Sequence, residues 1–442
     1  MSPPATADKK QSAFAPKQNL SSGHKLAPSQ TSTVPQGLQN NVVVIPALSQ
    51  PSFGSFFLVN VATHGVQVEN ISLQFQLNAL FPNSGLTYVG AGITGSATTP
   101  YEEEKPYFTP SSLWIDHVEV CCNNIIIDTI YGPSIHIHNN VFYDDKCRNI
   151  INNDCGNYAS VAQRRYKAQQ SNSEYTVHLH TFVDECHFSI LNSSQDLQLR
   201  VYLQPLANCF NIPNIHGGDT PAFTGTPQVN LICNALVKQT NLTKSGLNVS
   251  RLQDLQKSPL HQLYHDSRMF LSSIQPCKNS RQILTSLVGN VSVLYFVVNT
   301  KGNAGDNQFY YDAIESFEIL DSSSTNIVGG NLITNQMSKK SMLEWSASSF
   351  TEEWAGGFSP WADASSDLGS NVYFWSFSQD PQSAHHHGST LSSHKFQGNE
   401  TLSINFTQSF ANGSTPATLR VFALTEQMIT VSVNNIKKEA LQ

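Results

Sequence analysis

The sequence predicts an all-β protein built as two similar sandwiches in tandem. Three observations carry that reading: apolar rows that alternate with polar residues, loops rich in Gly, Pro and Asn between them, and a weak duplication spaced by nearly half the chain. At 442 residues the chain exceeds one ordinary core and suits about two domains plus extensions.

Taken in order, residues 1–40 are rich in Pro, Ser, Gln and Lys and carry Lys9, Lys10, Lys17 and Lys25 against Asp8 alone. Such a segment buries too little apolar area to order itself, so it is expected to be a mildly basic arm, either simply a disordered terminus or one that orders only against a partner. Ile71, Leu73, Phe75 and Leu77 form the first clear row, with Val66 and Val68 on the opposite phase. A bulge near Glu69 and Asn70 reconciles the two phases. Tyr175–Val183 alternates, setting His178 and His180 on one face, and Leu197, Leu199, Val201 and Leu203 alternate with polar partners. Val372–Phe377 is apolar on both phases and is expected to be covered on both faces. Leu402, Ile404 and Phe406 make a further row, and Ile429, Val431 and Val433 close the chain.

Three long irregular stretches, 79–112, 207–227 and 346–369, separate these rows. The first includes Glu102, Glu103 and Glu104, and Trp345, Trp354 and Trp361 mark the third. Loops of that length in a β protein are usually functional, and the first and third are expected to project from the surface.

Composition narrows the function. Asp, Glu, Lys and Arg make up 13% of residues, roughly half the usual share. A surface short of long charged side chains loses less entropy when ordered against a neighbour. The net charge of −7 gives the whole chain no electrostatic pull toward nucleic acid. No apolar run reaches membrane-helix length, and the opening residues lack a signal-peptide pattern. The eight cysteines contain no Cys-x-x-Cys pair and read as reduced thiols, several packed as small hydrophobes. The Asn-x-Ser/Thr triplets at Asn241, Asn248, Asn290 and Asn405 follow from an Asn- and Ser-rich composition.

The duplication is most informative. Ile115–Val120 and Ile314–Ile319 align at an offset of 199, which sets Glu119 on Glu318. Val177–Phe182 aligns with Val372–Phe377 at 195, and the row from Leu197 with the row from Leu402 at 205. Three landmarks in one order indicate two copies of one sandwich, joined around residues 238–260.

At these same places the chain resembles the double jelly-roll major capsid proteins of eukaryotic double-stranded DNA viruses: the nucleocytoplasmic large DNA viruses, virophages and polinton-like viruses. Val118-Glu119-Val120, through Ile125–Asp128 to Tyr131-Gly132, is similar to the family's strand–turn–strand motif, with Asn123-Asn124 where its turn glycines stand. The run from Asn371 through Tyr373, Ser376, Phe377 and Pro381 to Gly388-Ser389 is similar to the segment that marks the second jelly roll. Thr418–Ala423 resembles the closing strand. The Gly-rich opening signature of the large viruses is absent, and His385-His386-His387 stands where a proline is typical, which tilts the resemblance toward the polinton-like or virophage branch.

The resemblance implies two tandem eight-stranded jelly rolls with long inserted loops and short helices. The division it suggests is an arm at 1–40, a first roll at 41–240, a linker at 241–260, a second roll at 261–436 and a tail at 437–442. It implies a structural subunit, not an enzyme: homotrimers with six lobes tile an icosahedral shell, alongside penton and minor capsid proteins, in a virion whose subunits are made in the host cytosol. No cofactor, metal or specific nucleic-acid contact is expected. The rival readings are a lectin-like β-sandwich binding module and a metal-dependent jelly-roll enzyme. The enzyme would need ligands at His136 and His138, at His178 and His180, or at His385–His387. Asp116/Glu119 and Glu315/Glu318, three apart in strands, are expected on opposite faces and so form no carboxylate dyad. No Gly-rich phosphate loop or nucleophile elbow is present.

Overall fold

Alternation at period two becomes alternating burial along the strands of the computed structural model. The structure describes residues 40–61, 66–80, 86–89, 106–122, 124–141, 145–157, 160–170, 172–186, 189–190, 197–211, 220–223, 228–241, 257–309, 311–328, 332–334, 336–338, 340–341, 371–377, 393–432 and 435–440. The arm with its four lysines, Glu102–Glu104, Trp345, Trp354, Trp361, Pro381, His385–His387, Gly388 and Ser389 lie outside the described residues.

The first half contributes β1 (Asn40–Pro46), β2 (Phe56–Asn60), β3 (Val66–Leu80), β4 (Leu86–Val89), β5 (Tyr107–Phe108), β6 (Ile115–Cys122), β7 (Ile125–Tyr131), β8 (Ser173–Leu179), β9 (Ser189–Ile190), β10 (Leu197–Leu203), β11 (Phe210–Asn211), β12 (Thr220–Phe223) and β13 (Gln228–Asn241). One sheet runs β1-β13-β3-β8, with β9 also on β3, and the facing sheet runs β2-β10-β6-β7. The second half contributes β14 (Leu260–Ile274), β15 (Asn279–Ile283), β16 (Val288–Asn299), β17 (Ile314–Leu320), β18 (Ile333–Thr334), β19 (Tyr373–Ser376), β20 (His394–Gln397), β21 (Thr401–Phe406), β22 (Ala417–Ser432) and β23 (Asn435–Ala440). Its sheets run β14-β22-β16-β19, with β20 on β16 and β23 on β22, and β15-β21-β17-β18. The two halves thus share one winding order, eight strands to each sandwich along these paths. All the pairings are antiparallel, and this is the double jelly roll.

Register sharpens the duplication. Both β6 and β17 carry a bulge at their second residue, Asp116 and Glu315, at the expected offset of 199. Both β3 and β16 carry one opposite the long closing strand, at Glu69 and Ser292. Glu69 is where the change of phase required it, and Val68 and Ile71 are accordingly both buried. Counting from the second bulge pair matches Val177 to Tyr373, because each pairs four residues beyond the bulge, with Leu73 and Phe296. Leu199 matches Leu402 because each lies opposite the last shared core residue of its neighbour, Val120 or Ile319. The offsets are therefore 196 and 203, where the sequence suggested 195 and 205. An alternating strand keeps its look when slid by two residues, and Val372–Phe377, apolar on both phases, keeps it even when slid by one.

Two stretches expected as irregular contain paired strands: β4 lies on β12 and β5 on β11, tying 79–112 to 207–227. The alternation expected to run to Val183 ends at Leu179, and Phe182–Cys186 is helical. Asn435–Ala440 pairs along β22 where a tail is expected from residue 437. Residues 242–256, within the expected linker, lie outside the described residues.

The first core centres on Trp114, fully buried against Phe53, Phe75, Phe108 and Tyr175, with its indole N–H donating to the Thr109 carbonyl at 3.0 Å. Its far end takes Tyr264 of β14 and Ile429 of β22, so the second half completes the first core. The second core holds Phe296, Phe317, Tyr373, Leu402 and Phe406. A third cluster joins the sandwiches and accounts for the apolar runs: Leu294 and Phe296 of β16 face the second core, whereas Val293, Tyr295 and Val297 face the first sandwich. Val372–Phe377 behaves as expected, with Tyr373 in the second core and Val372 and Phe374 in the join. Leu38–Gln442 forms one compact unit.

Candidate functional site

Two surfaces stand out: the join between the sandwiches, and the equivalent face of the first sandwich, which is open at its edge strand. The join is built around a helix, α1 (Gly132–Val141), followed by α2 (Asp145–Asp154) and α3 (Val161–Ala168). Ile135 and Ile137 are two residues apart, so they leave the helix on nearly opposite sides. Ile135 enters the first core and Ile137 enters the join beside Leu113, Tyr295 and Phe374. Pro133 in the first turn suits a helix start, since its missing N–H is not needed there. Gly132 is required by space: a Cβ there would lie 1.9 Å from the Ile115 carbonyl oxygen and 2.7 Å from that of Ser112.

Polar contacts fasten the join at several points. Ser134 Oγ and the Tyr295 hydroxyl are 2.6 Å apart. The Tyr264 hydroxyl donates to the Ile127 carbonyl at 2.7 Å, and Lys438 Nζ donates to the same oxygen at 2.9 Å and to Asp266 at 2.7 Å. In a second cluster Asp306 accepts from Arg164 Nη1 at 3.1 Å and from the Tyr107 hydroxyl at 3.0 Å. Burial and the Asp306 carboxylate push the Tyr107 hydroxyl well above its ordinary range, so it stays a donor.

The two bulges let equivalent rows be compared across the two sandwiches. Met269, Phe422, Tyr295 and Phe374 lie side by side on the outer face of the second sandwich, under the first. The equivalent row on the first sandwich is Val44, Leu236, Ser72 and His178. Here Val44 is 57% exposed and its neighbour Val42 65%. The same face is covered in one sandwich and left partly apolar and open at its edge strand in the other.

The residues singled out in the sequence have structural places. Val118 and Val120 are fully buried in the first core, and Glu119 lies 3.5 Å from Arg200 on β10. Buried Asp128 accepts from the Phe182 amide at 2.9 Å, at the start of the helix Phe182–Cys186. Asn124 adopts φ +64°, a left-handed turn conformation that Asn accepts more readily than most residues other than glycine. The Tyr373 hydroxyl accepts from the Ile314 amide at 2.7 Å, the Ser376 amide donates to Ser341 Oγ at 2.9 Å, and Phe377 packs edge-on against Phe396.

His178 and His180 share one face as expected, whereas His136 and His138 are arranged differently. His136 and His138 lie on α1 rather than on a strand, so their spacing separates them. His136 is buried, and desolvation holds its imidazole down to about 3, hence neutral. His138 instead stacks on His180 at 3.8 Å, and His180 Nε2 lies 3.0 Å from Asn139 Oδ1. His178 bridges Ser72 and Asp154 at 3.0 and 3.2 Å. No group of three metal-ligating side chains occurs among the described residues. The acid pairs also depart from expectation: the bulges leave Asp116 and Glu315 exposed while Glu119 and Glu318 are half-buried, so none faces the core. The members of the first pair are held apart by their partners, Asp116 by His117 and Gln204, Glu119 by Arg200, and Glu315 of the second pair is held by Lys278. Cys121, Cys122, Cys155, Cys209, Cys233 and Cys277 are free thiols, and burial pushes that of Cys155 up to about 12; the side chains of Cys147 and Cys186 lie outside those described.

No protein-family model matches the chain, and no curated protein matches its sequence. Solved structures do match its fold. The VP54 protein of PBCV-1, in a crystal structure fitted into a cryo-electron-microscopy reconstruction of the virophage Sputnik, matches with a TM-score of 0.59 at 12% identity, over 92% of this chain and 98% of that one. The Faustovirus major capsid protein matches at 0.59 and 9% identity, over 89% and 91%. The mavirus major capsid protein matches at 0.51 and 12% identity, over 99% and 97%. With near-complete coverage of both partners, the chain has the double jelly-roll fold of these viral proteins.

Proposed function

We propose that this chain is the major capsid protein of a double-stranded DNA virus, a non-enzymatic subunit that forms pseudo-hexagonal homotrimers tiling an icosahedral shell. The row of Val44, Leu236, Ser72 and His178 carries the reading, because its equivalent is already covered inside the chain. If the second sandwich of a neighbouring copy covers the open β1 end of that row, at Val44 and Val42, as the first sandwich covers its counterpart, the contact is heterologous and each copy turns the next by one lobe pair. Such a contact closes into a ring after three copies of two lobes.

In this reading residues 1–40 are an internal arm whose Lys9, Lys10, Lys17 and Lys25 meet partners beneath the shell. Residues 41–240 and 261–436 are the two rolls with a linker at 241–260, and Pro381, Gly388 and Ser389 belong to the motif that marks the second roll. Penton and minor capsid proteins are the further partners, the virion is the destination and the host cytosol the place of synthesis.

Replacing Val42 and Val44 together by Lys tests the ring. Both side chains are exposed, so the subunit should keep its stability to within about 0.5 kcal/mol. Sedimentation is expected to show wild-type trimers and mutant monomers. A wild-type chain that stays monomeric at every concentration and salt, or mutant trimers of unchanged affinity, would contradict the proposal.

A further inference from the structure

A cleft of about 470 Å³ opens at the join, between the start of β6, the first turn of α1, the end of β14 and the start of β22. Arg420 lines it while being only 9% exposed. Its Nη2 donates to Asn303 Oδ1 at 2.6 Å, but its Nη1 is buried with no hydrogen-bond acceptor, and no carboxylate lies within ion-pair reach among the described residues. The Tyr311 hydroxyl, close enough to feel that charge, is likewise buried without a partner. Asp116 lines the same cleft, yet its Oδ1 accepts from Gln204 at 2.6 Å and its Oδ2 lies 2.7 Å from His117 Nδ1.

A buried guanidinium with no carboxylate in contact is costly; desolvation weakens Arg420's hold on its proton, and Asp116, acting from the same cleft without touching it, offsets this only in part. The wall that carries Asp116 disfavours a multiply charged anion, and Asn303, exposed at the rim, holds Nη2 with a neutral oxygen that a charged one outcompetes. We infer that this cleft is a binding site for a single carboxylate group presented by another molecule, with Arg420 as its receptor. The carboxylate displaces Asn303 and takes both terminal nitrogens in the planar fork that guanidinium offers. This site is separate from the open row and does not depend on the capsid reading.

Titration of the full chain with sodium acetate against sodium chloride at equal ionic strength tests it, read by thermal unfolding. A ligand that binds only the folded state raises the midpoint saturably, and acetate is expected to do so where chloride does not. Arg420→Gln should weaken the apparent affinity at least tenfold. Asn303→Asp, which places a carboxylate on Nη2, should raise the midpoint in chloride and abolish the acetate response. Wild-type midpoints that coincide in acetate and chloride, or a response undiminished in both variants, would overturn the inference.

Discussion

Replacing Gly132 by Ala is expected to remove most soluble protein and to cost any remainder about 4 kcal/mol or more, among the largest effects of a single substitution. The added Cβ would meet the Ile115 carbonyl oxygen at 1.9 Å and the Ser112 carbonyl oxygen at 2.7 Å. Both are backbone atoms, so no rotamer change relieves the overlap and α1 itself must move. Moving α1 withdraws Ile135 from the first core and Ile137 from the join together. Soluble yield and urea midpoint check this; an alanine variant with the wild-type midpoint would mean that α1 does not pack against that turn.

Asp306→Ala is expected to destabilise the chain by about 3–5 kcal/mol, the range for breaking a buried ion pair. Arg164 is 5% and Asp306 16% exposed, so water replaces the lost carboxylate poorly, and the Tyr107 hydroxyl loses its acceptor as well. The pair joins α3 of the first sandwich to the Gly305–Phe309 turn of the second. Urea unfolding measures the loss, and a shift below about 1 kcal/mol, typical of exposed pairs, would contradict it.

Much of this architecture is legible in the sequence because core rows and surface rows differ at period two. Leu197–Leu203 reads as a half-buried strand and is one, and the change of phase at Glu69 reads as a bulge because one extra residue is the simplest way to turn Val68 and Ile71 to the same side. The helix α1 was not legible for a physical reason. Ile135-His136-Ile137-His138 alternates as a strand does, but the alternation comes from a helix wedged between two apolar bodies, which buries opposite sides of itself. The join escaped for another reason: Val293 and Leu294 are equally apolar, and nothing in the residues says that one faces its own core and the other a neighbouring sandwich. Arg420 is a lone arginine in an apolar strand, and only its burial beside a cleft marks it out.

Two like sandwiches, one with its outer face covered and one with that face open at its edge strand β1, should assemble three copies into a six-lobed ring. Electron microscopy of the purified full-length protein tests it directly. Class averages of pseudo-hexagonal particles with six lobes and three-fold symmetry are expected. Fields of isolated two-lobed particles at every protein concentration would contradict it.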